Sequence, residues 1–165
     1  MREMPVAFSL SQRIVHWTMA ALIVFNLLLP DGMNEWAHLL RQGQVPTPDQ
    51  VASANIHAYV GIAVLALAIL RLGLRLLQGA PAEPEGEPPV LKLAARIGHI
   101  AFYVLFFILP LTGIARYYFG SETAGFVHSG PLKALMWVLI CSHVGAAVIH
   151  QFYWKTGIMK RMTSG

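Results

Sequence analysis

Residues His128–His150 read HSGPLKALMWVLICSHVGAAVIH, and this stretch decides how the chain is read. It carries a single formal charge, Lys133, and three histidines. The apolar run from Pro131 to Trp154 reaches the roughly 20 residues needed to cross a bilayer. In lipid such a run must be helical, because a helix satisfies its own backbone donors and acceptors. Pro131 suits a first helical position, so the sequence predicts a helix that begins there and leaves His128 in the preceding turn. An ionisable side chain within or beside such a run is costly and marks a functional site by default. His128 and His143 are fifteen residues apart, about 22 Å of helical rise if the helix extends back that far.

Three further apolar runs precede it. The first spans about Ser9 to Leu29 and stops at Pro30-Asp31-Gly32; the second spans Ala54 to Leu77 and stops near Gly79-Ala80-Pro81; the third spans Leu91 to Tyr118. The first carries His16-Trp17 and lacks a small-x-small cleavage site, so it reads as a retained helix rather than a signal peptide. The 165 residues are 56% hydrophobic and 12% charged, about half the charge of a soluble domain. The expected fold is therefore all-α: one integral membrane four-helix bundle occupying residues 1–165.

Lysine and arginine set the expected orientation. Arg2, Arg13, Arg71, Arg75, Lys92, Arg96, Lys155, Lys160 and Arg161 fall on one side, and Arg41, Arg116 and Lys133 on the other. The richer side is cytoplasmic by the positive-inside rule, which places both termini there. The net charge of +4 is thus topogenic, with no basic patch for nucleic acid. The connection Gln78–Val90, with Pro81, Glu83, Pro84, Glu85, Glu87, Pro88 and Pro89, is expected to be extended and solvated. The Asp31–Ser53 segment reads as a larger outer loop with a short surface helix over Glu35–Arg41.

Depth then sorts the histidines. His16 lies in the inner half of the first span and His143 well inside the fourth, while His57 and His128 lie toward the outside. Neutral imidazole is the commonest axial ligand of haem iron. The depths pair His16 with His143 and His57 with His128, which would hold two haems, one above the other. Gly61 and the Gly145-Ala146-Ala147 run would let a flat ring approach the backbone, and equally let helices pack closely. Arg71 and Arg75, four apart, share a helical face; they suit haem propionates or positive-inside anchoring. His99 and His150, both toward the inner side, suit hydrogen bonding or proton transfer to a quinone carbonyl, or a snorkelling role. His38 reads as a surface residue.

Other chemistries find little footing. There is no Cys-x-x-Cys-His, so any haem is held without covalent attachment. Cys141 is the only cysteine, which excludes an intrachain disulfide. No phosphate loop, His-Glu-x-x-His or nucleophile elbow is present. All eight Asp and Glu fall in predicted loops or termini, which argues against a proton-coupled transporter.

The stretches Ser11-Gln12-Arg13-Ile14-Val15-His16-Trp17, Ile69-Leu70-Arg71-Leu72-Gly73-Leu74-Arg75, Gly98-His99-Ile100 through Leu109-Pro110-Leu111-Thr112-Gly113, and His143 through His150-Gln151-Phe152-Tyr153-Trp154-Lys155 resemble the bacterial cytochrome b561 family, especially its superoxide oxidase branch. The resemblance implies a four-helix bundle in the bacterial inner membrane with two haem b groups. Its ligand positions fall on His16, His57 and His143, and on His128 with one extra residue before His143. Its quinone-site histidines fall on His99 and His150, with Gln151 where a second histidine is often found. The implied activity is oxidation of periplasmic superoxide with ubiquinone as electron acceptor. By charge placement, Arg41, Arg116 and Lys133 would attract the anion at the outer mouth, offset by the outer acids Asp31, Glu35, Asp49 and Glu122. The alternative is a quinol-linked cytochrome b subunit serving a periplasmic redox partner.

Overall fold

A computed structural model of the chain describes residues 5–82 and 87–165. Among them the regular structure is entirely helical: α1 (Leu10–Leu28), α2 (Asp31–Arg41), α3 (Pro48–Gln78), α4 (Pro89–Phe119), α5 (Glu122–Val127), a π-helical turn (His128–Leu132), α6 (Lys133–Phe152) and α7 (Ile158–Thr163). Three helical stretches, Pro48–Gln78, Pro89–Phe119 and Glu122–Phe152, are long and apolar enough to cross a membrane. The fourth candidate is α1 joined to α2, two helices bent by 44°. At 19 residues, α1 alone is about 28 Å long.

Helix starts follow local chemistry. Ser9 caps α1 by accepting from the Gln12 N–H, and the Gln12 side chain returns the bond, completing a capping box. The buried Gln12 amide also donates to the Gly79 carbonyl at 2.9 Å, fixing α1 against the end of α3. Thr47 and Gln50 form the same box ahead of Pro48. This corrects the expected start at Ala54: α3 begins six residues earlier, because capping chemistry starts a helix whether or not its first turn is apolar. The predicted surface helix likewise begins at Asp31 rather than Glu35. It lies against α3 through Gly32, where a Cβ would come within 2.7 Å of the Ser53 Cβ.

The larger correction concerns His128, which lies in a helix rather than in a turn before one. From Glu122 the chain runs helically through the π turn into α6. Pro131 donates no N–H, and in an α-helix its ring would press on the carbonyl four residues back. A wider π turn relieves that clash, and such a turn takes up one extra residue.

One apolar cluster forms the core: Val15, Met19, Val64, Ala68, Leu105, Phe106 and Met136. Met136 lies eight residues after His128 and seven before His143, so this layer separates the two histidine levels. Leu10, Ile69, Ile97, Val104, Val138 and Cys141 point outward, as expected of faces that meet lipid.

The two chain ends meet at one end of the bundle. Phe8 N–H donates to Arg161 O at 3.3 Å, Arg13 to Thr163 O at 2.9 Å, and Trp17 to Met162 O at 3.0 Å. Arg161 donates to Ala82 O at 2.8 Å, bringing the α3–α4 connection to the same end. Of the residues expected to be solvated there, Glu83, Pro84 and Glu85 lie outside the described residues. Glu87 departs from that expectation: its side chain is 8% exposed.

Candidate functional site

Two pairs of imidazoles face each other across the bundle. The rings of His16 on α1 and His143 on α6 have centroids 6.4 Å apart. Those of His57 on α3 and His128 on the π turn are 6.2 Å apart. A metal–imidazole bond of about 2 Å, plus about 1 Å from the ligating nitrogen to the ring centre, puts two rings on opposite sides of one ion about 6 Å apart. Both pairs match that separation. Among the described residues no group of three or more His, Cys, Asp and Glu is placed to hold a metal. The donor set therefore suits an ion whose remaining positions are filled by a planar macrocycle.

The His128 ring is held from α4. Pro110 lies inside that helix. The Leu109 carbonyl accepts from His128 Nδ1 at 2.9 Å and from Thr112 Oγ1 at 2.8 Å. With its proton on Nδ1, the ring keeps a lone pair on Nε2 for a metal, the usual outer-shell arrangement of a ligating histidine. Gly113 leaves room for the ring: a Cβ there would stand 3.0 Å from His128 Cε1. The Leu109–Gly113 motif is thus the seat of His128.

His57 is held differently. Its carbonyl accepts from Asn26 Nδ2 at 3.1 Å, while its Nδ1 and the Asn26 Oδ1 are buried without a protein partner. Buried polar atoms rarely stay unpaired, so this level of the bundle suits an additional polar occupant. It opens into a cavity of about 440 Å³ bounded by α1–α6, with Gly61 and Gly113 in its walls. The three cations Arg41, Arg116 and Lys133 all line it. α2 covers it through Trp36, whose ring lies 4.6 Å from that of Tyr117 and 6.0 Å from the Arg116 guanidinium. Glu122 pairs with Arg116, whose side chain crosses Gly125.

The other pair has a cationic neighbour. Arg71 donates to His16 Nδ1 at 2.6 Å, and the His99 ring lies 5.7 Å from that of His143. Arg75, one turn beyond Arg71, is within electrostatic reach of His99. His99 therefore joins this pair directly. His150 stands apart: its Nδ1 is 3.0 Å from Thr156 Oγ1, its Nε2 faces Glu87, and its ring meets Trp154.

Sequence reasoning missed Asn26, Trp36, Glu87 and the seating role of Leu109, Thr112 and Gly113. Asn26 was detectable as a carboxamide in an apolar run, and Thr112-Gly113 as a hydroxyl and a missing side chain just past a mid-helix proline.

The prokaryotic cytochrome b561 family model matches residues 7–165. Cytochrome b562 of Cereibacter sphaeroides is 30% identical over 92% of this chain and 91% of its own. A probable superoxide oxidase CybB of Yersinia pestis is 27% identical over 94% of each. Cytochrome b561 homolog 1 of Escherichia coli is 24% identical over 94% of this chain and 96% of its own.

Proposed function

The chain belongs to the prokaryotic cytochrome b561 family of membrane electron-transfer proteins, and from that premise we propose that it binds two haem b groups and passes electrons from periplasmic superoxide to ubiquinone across the inner membrane, both termini being cytoplasmic. The observation that carries this reading is the pair of facing imidazole couples, 6.4 and 6.2 Å between centroids. His16 and His143 would hold one haem, His57 and His128 the other. Haem supplies a one-electron carrier that no side chain of this protein provides.

The protein's own residues position and charge the two ends. Arg41, Arg116 and Lys133 make the mouth of the outer cavity cationic, which favours entry of a small anion. α2, through Trp36, limits that mouth. The apolar layer around Met19, Phe106 and Met136 keeps water and ions from passing between levels. At the inner end, a ring ligating through Nε2 carries its proton on Nδ1. Arg71, a donor only, would then turn off His16, and with Arg75 it would bind propionates. His99 and His150 would orient ubiquinone and supply it with protons. The balance is two superoxide, one ubiquinone and two protons giving two dioxygen and one ubiquinol.

The CybB relative supports superoxide as donor. A second reading is quinol-linked electron transfer to a periplasmic partner, and a relative named only cytochrome b562 is compatible with it. A superoxide pulse applied to purified, ubiquinone-loaded protein separates them. Intrinsic activity gives reduced cytochrome followed by one ubiquinol per two superoxide. No cytochrome reduction by superoxide defeats the first reading and promotes the second.

The seat of His128 gives a sharper local prediction. Gly113→Ala is expected to displace the ring and reduce the outer haem's share of the reduced-minus-oxidised spectrum, leaving the inner haem in place. Gly73→Ala adds a Cβ in open space and is expected to raise thermal stability slightly, since alanine is favoured over glycine in a helix by about 0.8–1 kcal/mol. Identical spectra in both variants would mean that Gly113 does not seat a haem ligand.

A further inference from the structure

At the end of the bundle that holds both termini, an acid and an imidazole are buried together away from either histidine pair. Glu87 Oε1 lies 3.4 Å from His150 Nε2, with side chains 8% and 10% exposed. Nothing in the composition of the Pro/Glu connection called for this, since a solvated glutamate would cost less than a buried one. His150 is fixed on its other side, its Nδ1 bonded to Thr156 Oγ1 at 3.0 Å and its ring edge-on to Trp154 at 4.7 Å. The Thr156 N–H also returns to the His150 carbonyl at 3.1 Å. The two ring nitrogens are therefore unequal. Nδ1 is closed by a full hydrogen bond. Nε2 faces a carboxylate at ion-pair range but beyond the usual 2.7–3.2 Å of an N–H···O bond, which leaves room for a second acceptor.

We propose that Glu87 is the proton-supplying carboxylate of the ubiquinone site, working through His150. The proposal rests on the reading of His150 as a ubiquinone-site residue. The ubiquinone oxygen takes the open position at Nε2. As the two electrons arrive, the Nε2–H bond of the His150 imidazolium breaks and an O–H bond forms on the ubiquinone, leaving a neutral imidazole. The Glu87 carboxylate then takes a proton from water and passes it to Nε2, which restores the imidazolium–carboxylate pair. Two such deliveries complete ubiquinol. Glu87 touches only the imidazole, so it is a relay residue rather than a ligand of the ubiquinone.

The test uses haem-loaded protein, reduced with dithionite and mixed rapidly with decylubiquinone, as wild type, Glu87→Gln and Glu87→Asp. Glu87→Gln keeps the shape but cannot take up and relay a proton. It is expected to reoxidise about tenfold to a hundredfold more slowly at saturating quinone. Its half-saturating quinone concentration should stay near wild type, and its H₂O/D₂O rate ratio should rise. Glu87→Asp should recover much of the rate. Redox-triggered infrared difference spectra should show a carboxyl band in wild type that shifts in D₂O and vanishes in Glu87→Gln. Haem spectra should be unchanged in all three. Wild-type rate and isotope ratio in Glu87→Gln, or an unchanged infrared band, overturns the relay while leaving the ubiquinone reading intact. Wild-type protein that decylubiquinone does not reoxidise overturns that reading and the relay with it.

Discussion

Alanine at any one of four histidines is expected to halve the haem content. Wild-type protein should give two haem b per chain by pyridine haemochrome, and His16→Ala, His57→Ala, His128→Ala and His143→Ala about one each. The physical reason is that each facing pair offers two ligands, and among the described residues no third His, Cys, Asp or Glu is placed to complete a metal site with them; His99, its ring 5.7 Å from that of His143, adjoins the first pair and is unchanged in all four variants. Held without covalent attachment, a haem with one imidazole removed has only half its axial anchorage. The variants should also sort into two classes. His16→Ala and His143→Ala should lose one component of the reduced spectrum, and His57→Ala and His128→Ala the other. The apolar layer of Met19, Val64, Leu105, Phe106 and Met136 should keep the surviving level folded, which circular dichroism and size exclusion can check. If all four folded variants lose both components equally, the pairing is wrong; one haem in the wild type removes the His57–His128 site.

Removing the cations of the cavity beside His57 and His128 should produce the second large effect. Arg41→Gln, Arg116→Gln and Lys133→Gln combined are expected to slow reduction of the cytochrome by superoxide about tenfold at low ionic strength, within the range of steering by a lined cleft. The deficit should shrink toward 0.15 M salt, where the screening length falls to about 8 Å. Reduction by an uncharged quinol from the other end should hardly change. Glu122, paired with Arg116 and itself largely exposed, supplies a control of opposite sign: Glu122→Gln should speed the superoxide reaction at low salt. Superoxide kinetics indifferent to both charge changes and salt would rule out steering.

Much of the architecture was legible because lipid narrows the choices. Long apolar runs must be helices, and charged residues must lie near their ends, so α1, α3, α4 and α6 were found from hydropathy alone. What hydropathy could not locate were helix starts in polar stretches. Thr47 and Gln50 start α3 with a capping box, and α2 starts at Asp31, after Pro30 and without a side-chain cap. The histidine partnerships were legible because depth is a one-dimensional quantity that counting residues recovers. The seat of each ring was not, since it depends on groups far apart in sequence: Gly113 beneath His128, Asn26 against the His57 carbonyl. Glu87 was misread for a related reason. Composition describes a connection on average, whereas one side chain in it folds back onto α6.

The π turn at His128–Leu132 bears on how such chains are compared and altered. A helix is often treated as a ruler on which ligands keep a fixed count. Here the ruler contains a slip joint. The fifteen-residue interval between His128 and His143 holds one residue that adds length to the sequence without adding a full step of rotation. A one-residue insertion near Pro131 can therefore enter a lineage without turning either histidine out of the bundle, and a deletion there can leave it again as the turn tightens to α. A search pattern demanding one exact interval would discard such chains, although the two rings still face inward. Changes of length within α6 proper, between Lys133 and His143, have no such joint to absorb them and would rotate His143 by about 100° per residue.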